Sequence, residues 1–154
     1  MNEYRITKYN PEKRNEQGHY LDREEWTEFS DVGKSVTLKE YELVEAAYIS
    51  SALDFVSNSE LSGLSIKSLE NDQNKCSYKE GDFIPLKDLD GVVRSLLRGE
   101  FWCMLESDSV FVHIGYDYYM YIGAKNAPSN EIARAKERGL YVEEFASPYH
   151  PQGC

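Results

Sequence analysis

Three short runs near the C-terminal end constrain this chain most. Residues 101–105 (FWCML), 110–114 (VFVHI) and 118–122 (YYMYI) are dense in aromatic and β-branched side chains. Such side chains crowd a helix backbone but pack well on a pleated surface. The connections between them, 106–109 and 115–117, are four and three residues long, which is hairpin length. The three runs therefore predict an antiparallel meander, and a meander must cover at least one face with other elements.

The covering elements are legible as helices. Thr37-Leu38-Lys39-Glu40 matches the T-x-x-E capping box, in which the two side chains satisfy free backbone N–H groups at a helix start. Beyond it Leu38, Tyr41, Val44, Tyr48, Ala52 and Phe55 recur at three- and four-residue steps, the spacing of one helix face. Glu40, Glu42, Glu45 and Asp54 fall largely off that stripe and are expected to face water. The helix should stop before Asn58-Ser59. A second helix is expected from Pro85, with Leu86, Leu89, Val93, Leu96 and Leu97 inward and Gly99 closing it, since proline suits a first turn and glycine a helix end. A third, shorter helix is expected over 131–138, stopped by Gly139.

Further strands are predicted at 4–9, 26–31, 64–69 and 140–145, where apolar and polar residues alternate. The first two are expected to pair as a hairpin across a long polar connection. With no βαβ rhythm, the fold class is α+β: an antiparallel sheet with a C-terminal meander and two to three helices packed on it. The chain of 154 residues has the size of one domain, and no Gly/Ser/Pro linker divides it. Residues 1–147 are expected to form that domain and 148–154 a loose tail.

Charge narrows the partners. Aspartate and glutamate number 27 against 17 lysines and arginines, a net charge of −10. Nucleic-acid binding rests on cations that displace phosphate counterions, so a direct nucleic-acid partner is not expected; a basic partner is. The first residues carry no basic-then-apolar leader, and no apolar run approaches the ~20 residues of a membrane span. Three unevenly spaced cysteines, Cys76, Cys103 and Cys154, suit a reducing compartment better than a disulfide framework. The cytoplasm is the expected location.

Catalytic signatures are absent from the sequence. There is no phosphate-binding glycine loop, no CxxC and no H-x₃-H, so neither metal nor cofactor is expected. His19, His113 and His150 are dispersed, and a histidine such as His113 within a strand is more often packed than catalytic. Adjacent acids such as Glu24-Glu25 and Glu143-Glu144 are commonplace in so acidic a chain. Tyr116, Tyr118, Tyr119 and Tyr121 are more informative, because tyrosine joins a large apolar ring to a polar tip and is enriched at interface hot spots.

Four segments carry a resemblance: 5–11 (RITKYNP), 25–34 (EWTEFSDVGK), 111–121 (FVHIGYDYYMY) and 139–149 (GLYVEEFASPY). Together they resemble a family of small acidic proteins of Bacillus-type bacteria, encoded beside polymorphic toxins of the LXG and Rhs kinds and taken to be their immunity proteins. The resemblance implies a non-enzymatic protein that binds the C-terminal domain of a cognate toxin. Charge suggests that this toxin is a basic nuclease. From charge and expected exposure, the toxin-binding candidates are Glu24, Glu25, Glu28 and Asp31, with Tyr116 and Asp117 on the meander turn. A homodimer is a second association open to the chain. The alternatives are a small hydrolase or nuclease using His113 with nearby carboxylates, and a regulatory or scaffold domain for another basic partner.

Overall fold

The computed structural model describes residues 1–13, 25–126 and 128–150. Seven strands form one antiparallel sheet: β1 (Asn2–Thr7), β2 (Gly63–Glu70), β3 (Phe83–Pro85), β4 (Trp102–Glu106), β5 (Val110–Ile114), β6 (Met120–Ala124) and β7 (Tyr141–Glu144). Their order across the sheet is β3-β2-β4-β5-β6-β1-β7. The meander β4-β5-β6 is the centre, as its composition predicts. Helices α1 (Leu38–Asn58), α2 (Leu86–Leu97) and α3 (Ser129–Glu137) complete an α+β fold.

Alternation along the strands decides which face the helices cover. Ile6, Leu64, Ile66, Leu105, Val112, Ile114, Met120 and Ile122 are buried in one core with Tyr48, Phe55, Leu89 and Val93 of the helices. Each such side chain contributes about 1.5–3 kcal/mol by leaving water. Helix α1 starts where the Thr37 half of that motif places it: the Thr37 hydroxyl accepts the Glu40 N–H at 3.2 Å. Pro85 ends β3 and stands as the N-cap of α2. Gly99, with φ +72°, lets the chain leave α2 and turn into β4.

Several expectations are corrected. Residues 26–31 form no strand; Phe29–Asp31 is a turn of 3₁₀ helix, and only Val32 makes an isolated bridge, to Val36. Asp31 is the local cause, because its carboxylate accepts the N–H groups of Thr27 (2.9 Å) and Glu28 (3.3 Å), bending the backbone out of an extended path. Strand β1 instead lies between β6 and β7, with Tyr4 opposite Ile122 and Ile6 opposite both Met120 and Val142. That register puts every core-facing side chain of β1 beside an apolar neighbour. The third meander strand begins two residues later than its run of aromatics. Tyr118 stays in the turn at φ +66°, where its buried ring packs against Trp26, Tyr41 and Tyr48. Burying a tyrosine ring outweighs the roughly 1 kcal/mol cost of a left-handed backbone.

Two acids of α1 that were expected to face water are held by neighbouring helices instead. Glu45 is 3% exposed and bonds Arg94 and Arg98 of the α2 end. Asp54 accepts from Arg134 and Arg138 at the end of α3, at 3.0 and 2.8 Å. Both carboxylates thus clamp neighbouring helices to α1. Leu38, expected on the apolar stripe, is 49% exposed at the first turn.

The opposite sheet face, bearing Phe111, His113 and Tyr121, is crossed by residues 145–150. The beginning of the expected loose tail is therefore docked: Tyr149 packs on Trp102 and His150 bonds Glu3. Residues 151–154 lie outside the described residues.

Candidate functional site

One end of the sheet opens into a cleft of about 390 Å³. Its walls are the end of α2, the first residues of β4, the turn between β5 and β6, the loop after β2, and the Phe29 turn. Among the described residues four carboxylates line it, Glu28, Glu70, Asp72 and Glu100, together with the rings of Phe29, Trp102 and Tyr116.

Each side chain has a local reason to be there. Glu28 emerges from the turn that Asp31 bends, and its carboxylate takes the Ser30 hydroxyl. Glu70 follows a bulge in β2, where the pairing with β4 shifts between Lys67 and Glu70. The bulge is pinned by Glu80, whose two carboxylate oxygens accept the Ser68 and Leu69 N–H groups at 2.9 and 2.7 Å. Those two bonds hold the Glu80 carboxyl below its ordinary value. Bulges re-aim side chains, and here the result is that Glu70 accepts the Tyr116 hydroxyl at 3.2 Å. Tyr116 is nonetheless 70% exposed. Trp102 is fixed by an indole N–H bond to the Ile114 carbonyl at 2.7 Å.

Arg98 is the cation among the described lining residues. Its guanidinium donates to Glu45 through Nε (2.8 Å) and Nη2 (3.0 Å) and lies over the Phe29 ring at 4.7 Å. The bonds to Glu45 raise its pKa further. Its charge is thus shared with a buried partner, while the four lining carboxylates have the cleft between them. The arrangement suits a cationic group that can also stack on aromatic rings, and arginine does both.

The sequence-derived candidates divide accordingly. Glu28 and Tyr116 both line the cleft. Glu24 lies outside the described residues. Glu25 is engaged by the Lys8 ammonium, and Asp31 is occupied as the turn's cap. Asp117 is exposed beside Tyr116, outside the cleft lining, and its carbonyl accepts the Tyr9 hydroxyl at 2.7 Å. Glu70, Asp72, Glu100 and Trp102 were not among the candidates. No spacing in the sequence marks them, because a bulge and a helix end bring them together from separate segments.

His113 has different surroundings. It is 0% exposed, with Nδ1 2.6 Å from the Ser147 hydroxyl and Nε2 3.6 Å from the Glu106 carboxylate. Burial foremost, and His150 next, lower its pKa to about 4, so the ring is neutral at pH 7. Cys103 is also buried, and burial pushes its thiol up to about 12, which leaves it protonated and unreactive. Among the described residues no group of three or more His, Cys, Asp or Glu could hold a metal ion, and no helix is long and apolar enough to cross a membrane.

No protein-family model matches the chain, and neither the curated proteins nor the solved structures contain a match.

Proposed function

We propose that the protein is an immunity protein that binds and neutralises the C-terminal domain of a cognate polymorphic toxin, a basic nuclease, in the cytoplasm of the producing cell. One observation supports this above the others: a cleft lined, among the described residues, by four carboxylates and by the rings of Phe29, Trp102 and the exposed Tyr116. A nuclease holds its polyanionic substrate with lysines and arginines. Carboxylates set among aromatic rings offer those side chains both charge and stacking, as phosphates among bases do. Complementary charge chiefly speeds association, and a few buried aromatic anchors slow dissociation.

The test is a rescue assay. The toxin domain encoded beside this gene is expressed in a sensitive bacterium with and without the protein. Rescue and a 1:1 complex are expected. The triple substitution Glu28→Lys, Glu70→Lys, Asp72→Lys should abolish both while the isolated variant stays folded. Rescue by that variant would remove the cleft from the interface, and failure of the parent protein to rescue would remove the reading.

A second reading, a small hydrolase, is favoured by the line from Ser147 through His113 to Glu106. It requires His113→Ala to abolish a hydrolytic activity of the isolated protein, whereas an immunity protein would lose only stability.

A further inference from the structure

Residues 145–150 cross the sheet face that the helices leave open. Phe145 lies against the Arg5 guanidinium (3.9 Å) and the Tyr121 ring (5.9 Å). Tyr149 covers Trp102 at 5.4 Å, and His150 meets Phe111 at 5.0 Å. The polar hold on this segment converges on two residues. Glu3 accepts both the Ser147 N–H (3.1 Å) and His150 Nε2 (2.6 Å). His113 holds the Ser147 hydroxyl at 2.6 Å.

The Tyr149 N–H donates to Ser147 Oγ at 3.2 Å, and in the neutral tautomer that carries its hydrogen on Nε2 the hydroxyl hydrogen goes to Nδ1. Among the described residues that buried Nε2 has no hydrogen-bond partner and stands 3.6 Å from Glu106. In that tautomer a second proton on the ring turns Nδ1 into a donor and leaves the Ser147 hydroxyl hydrogen without its acceptor. It would also place a cation between Phe111, stacked at 4.3 Å, and His150, 5.6 Å away.

The groups facing the ring come from every neighbouring element. Glu106 stands on β4, with Lys67 of β2 beyond the intervening Met104. Tyr121 lies opposite on β6, and β1 supplies Glu3 and Arg5, the latter bonded to Glu143 of β7. Ser147, Tyr149 and His150 close the site from above.

We propose that residues 145–150 form a proton-released strap, closed over the sheet while His113 is neutral and lifted from it when the ring takes a second proton. The covered ring titrates at about 4, and an uncovered histidine near 6.5. The open fraction should therefore rise tenfold per pH unit between those limits, about 300-fold in all. Burial pushes the Glu3 carboxyl up, but the bonds from His150 and the Ser147 N–H bring it below its ordinary value. Release uncovers Phe111, Tyr121 and one side of Trp102, whose ring also lines the cleft. The device stands on the strap's own contacts, whatever the cleft binds.

The experiment is residue-resolved amide hydrogen exchange on the full chain between about pH 7.5 and about pH 4.5, corrected for the intrinsic rate. The Phe145, Ser147 and Tyr149 amides, all bonded in the closed strap, should lose protection by roughly 100-fold over that range while α1 amides keep theirs. His113→Asn, which keeps an acceptor near Nδ1 but takes no proton, should flatten the dependence. Ser147→Ala should weaken strap protection about tenfold already at neutral pH. Strap amides that exchange together with α1 at every pH would overturn the proposal, as would an unchanged acid response in His113→Asn. If that variant fails to fold, NMR titration of the His113 ring in the parent chain decides: its midpoint must coincide with loss of strap protection, and a separate midpoint overturns it.

Discussion

Single atoms decide whether some positions of this fold tolerate change. Gly123 lies opposite Phe111 on the outer sheet face, and a Cβ there would sit 2.2 Å from the Phe111 ring. Gly123→Ala should therefore displace Phe111 from its stack on His113 and destabilise the protein by about 1–3 kcal/mol, measured as a lower urea midpoint at unchanged m-value. Glu45 is the second case. Buried itself and bonded to two arginines, it is the counter-ion of Arg98, which lines the cleft. Glu45→Gln should cost about 2–3 kcal/mol, less than the ~3–5 of a fully buried pair, since Arg94 is 43% exposed and turns to water. The same measurement checks it. Neither role is visible in the sequence. Gly123 follows an ordinary strand pattern, and Glu45, four residues after Tyr41 and three before Tyr48, lies on the apolar stripe itself, where only its charge argues for solvent; the arginines that hold it there arrive with the end of α2.

Elements were more legible than residues. Helix α1 carries its own start signal, and Thr37→Ala should cost about 1 kcal/mol by freeing the Glu40 N–H, a shift of several degrees in Tm on thermal unfolding. The meander was readable because its signals are local: aromatic and β-branched runs with hairpin-length links. The segment at 26–31 misled because alternation describes side chains, whereas a single Asp31 carboxylate capturing two backbone N–H groups decides the main chain. The pairing of β1 was out of reach for another reason. Its partners β6 and β7 lie more than a hundred residues away in sequence, and no local pattern selects among several apolar strands of similar length.

Across the whole molecule, charge and burial act together. The net charge of −10 makes association with a basic partner salt-dependent: the on-rate should fall by tenfold or more between low and physiological ionic strength, with the off-rate changed far less. Stopped-flow association at several salt concentrations checks this. Stability should fall in acid. His113, lowered to about 4 in the folded state against an ordinary ~6.5, contributes its full share above pH 6.5 and loses it as pH falls toward 4, up to ~3 kcal/mol. Glu3, also held below its ordinary value, acts in the same sense at lower pH. Thermal unfolding of the parent protein and of His113→Asn across this range should show the parent's Tm falling more steeply.

From sequence alone came what neighbours within a turn or a hairpin decide: where α1 begins, that 101–122 is a meander, that the class is α+β, and that the surface is acidic. Tertiary structure alone decided which carboxylates share a cleft, which acid is buried between helices, and that residues 145–150 lie on the sheet. Hydrogen-bond geometry and side-chain period are fixed over a few residues. Proximity between Glu28, Glu70 and Glu100, or between His113 and Ser147, arises only when faces from distant segments are buried against one another.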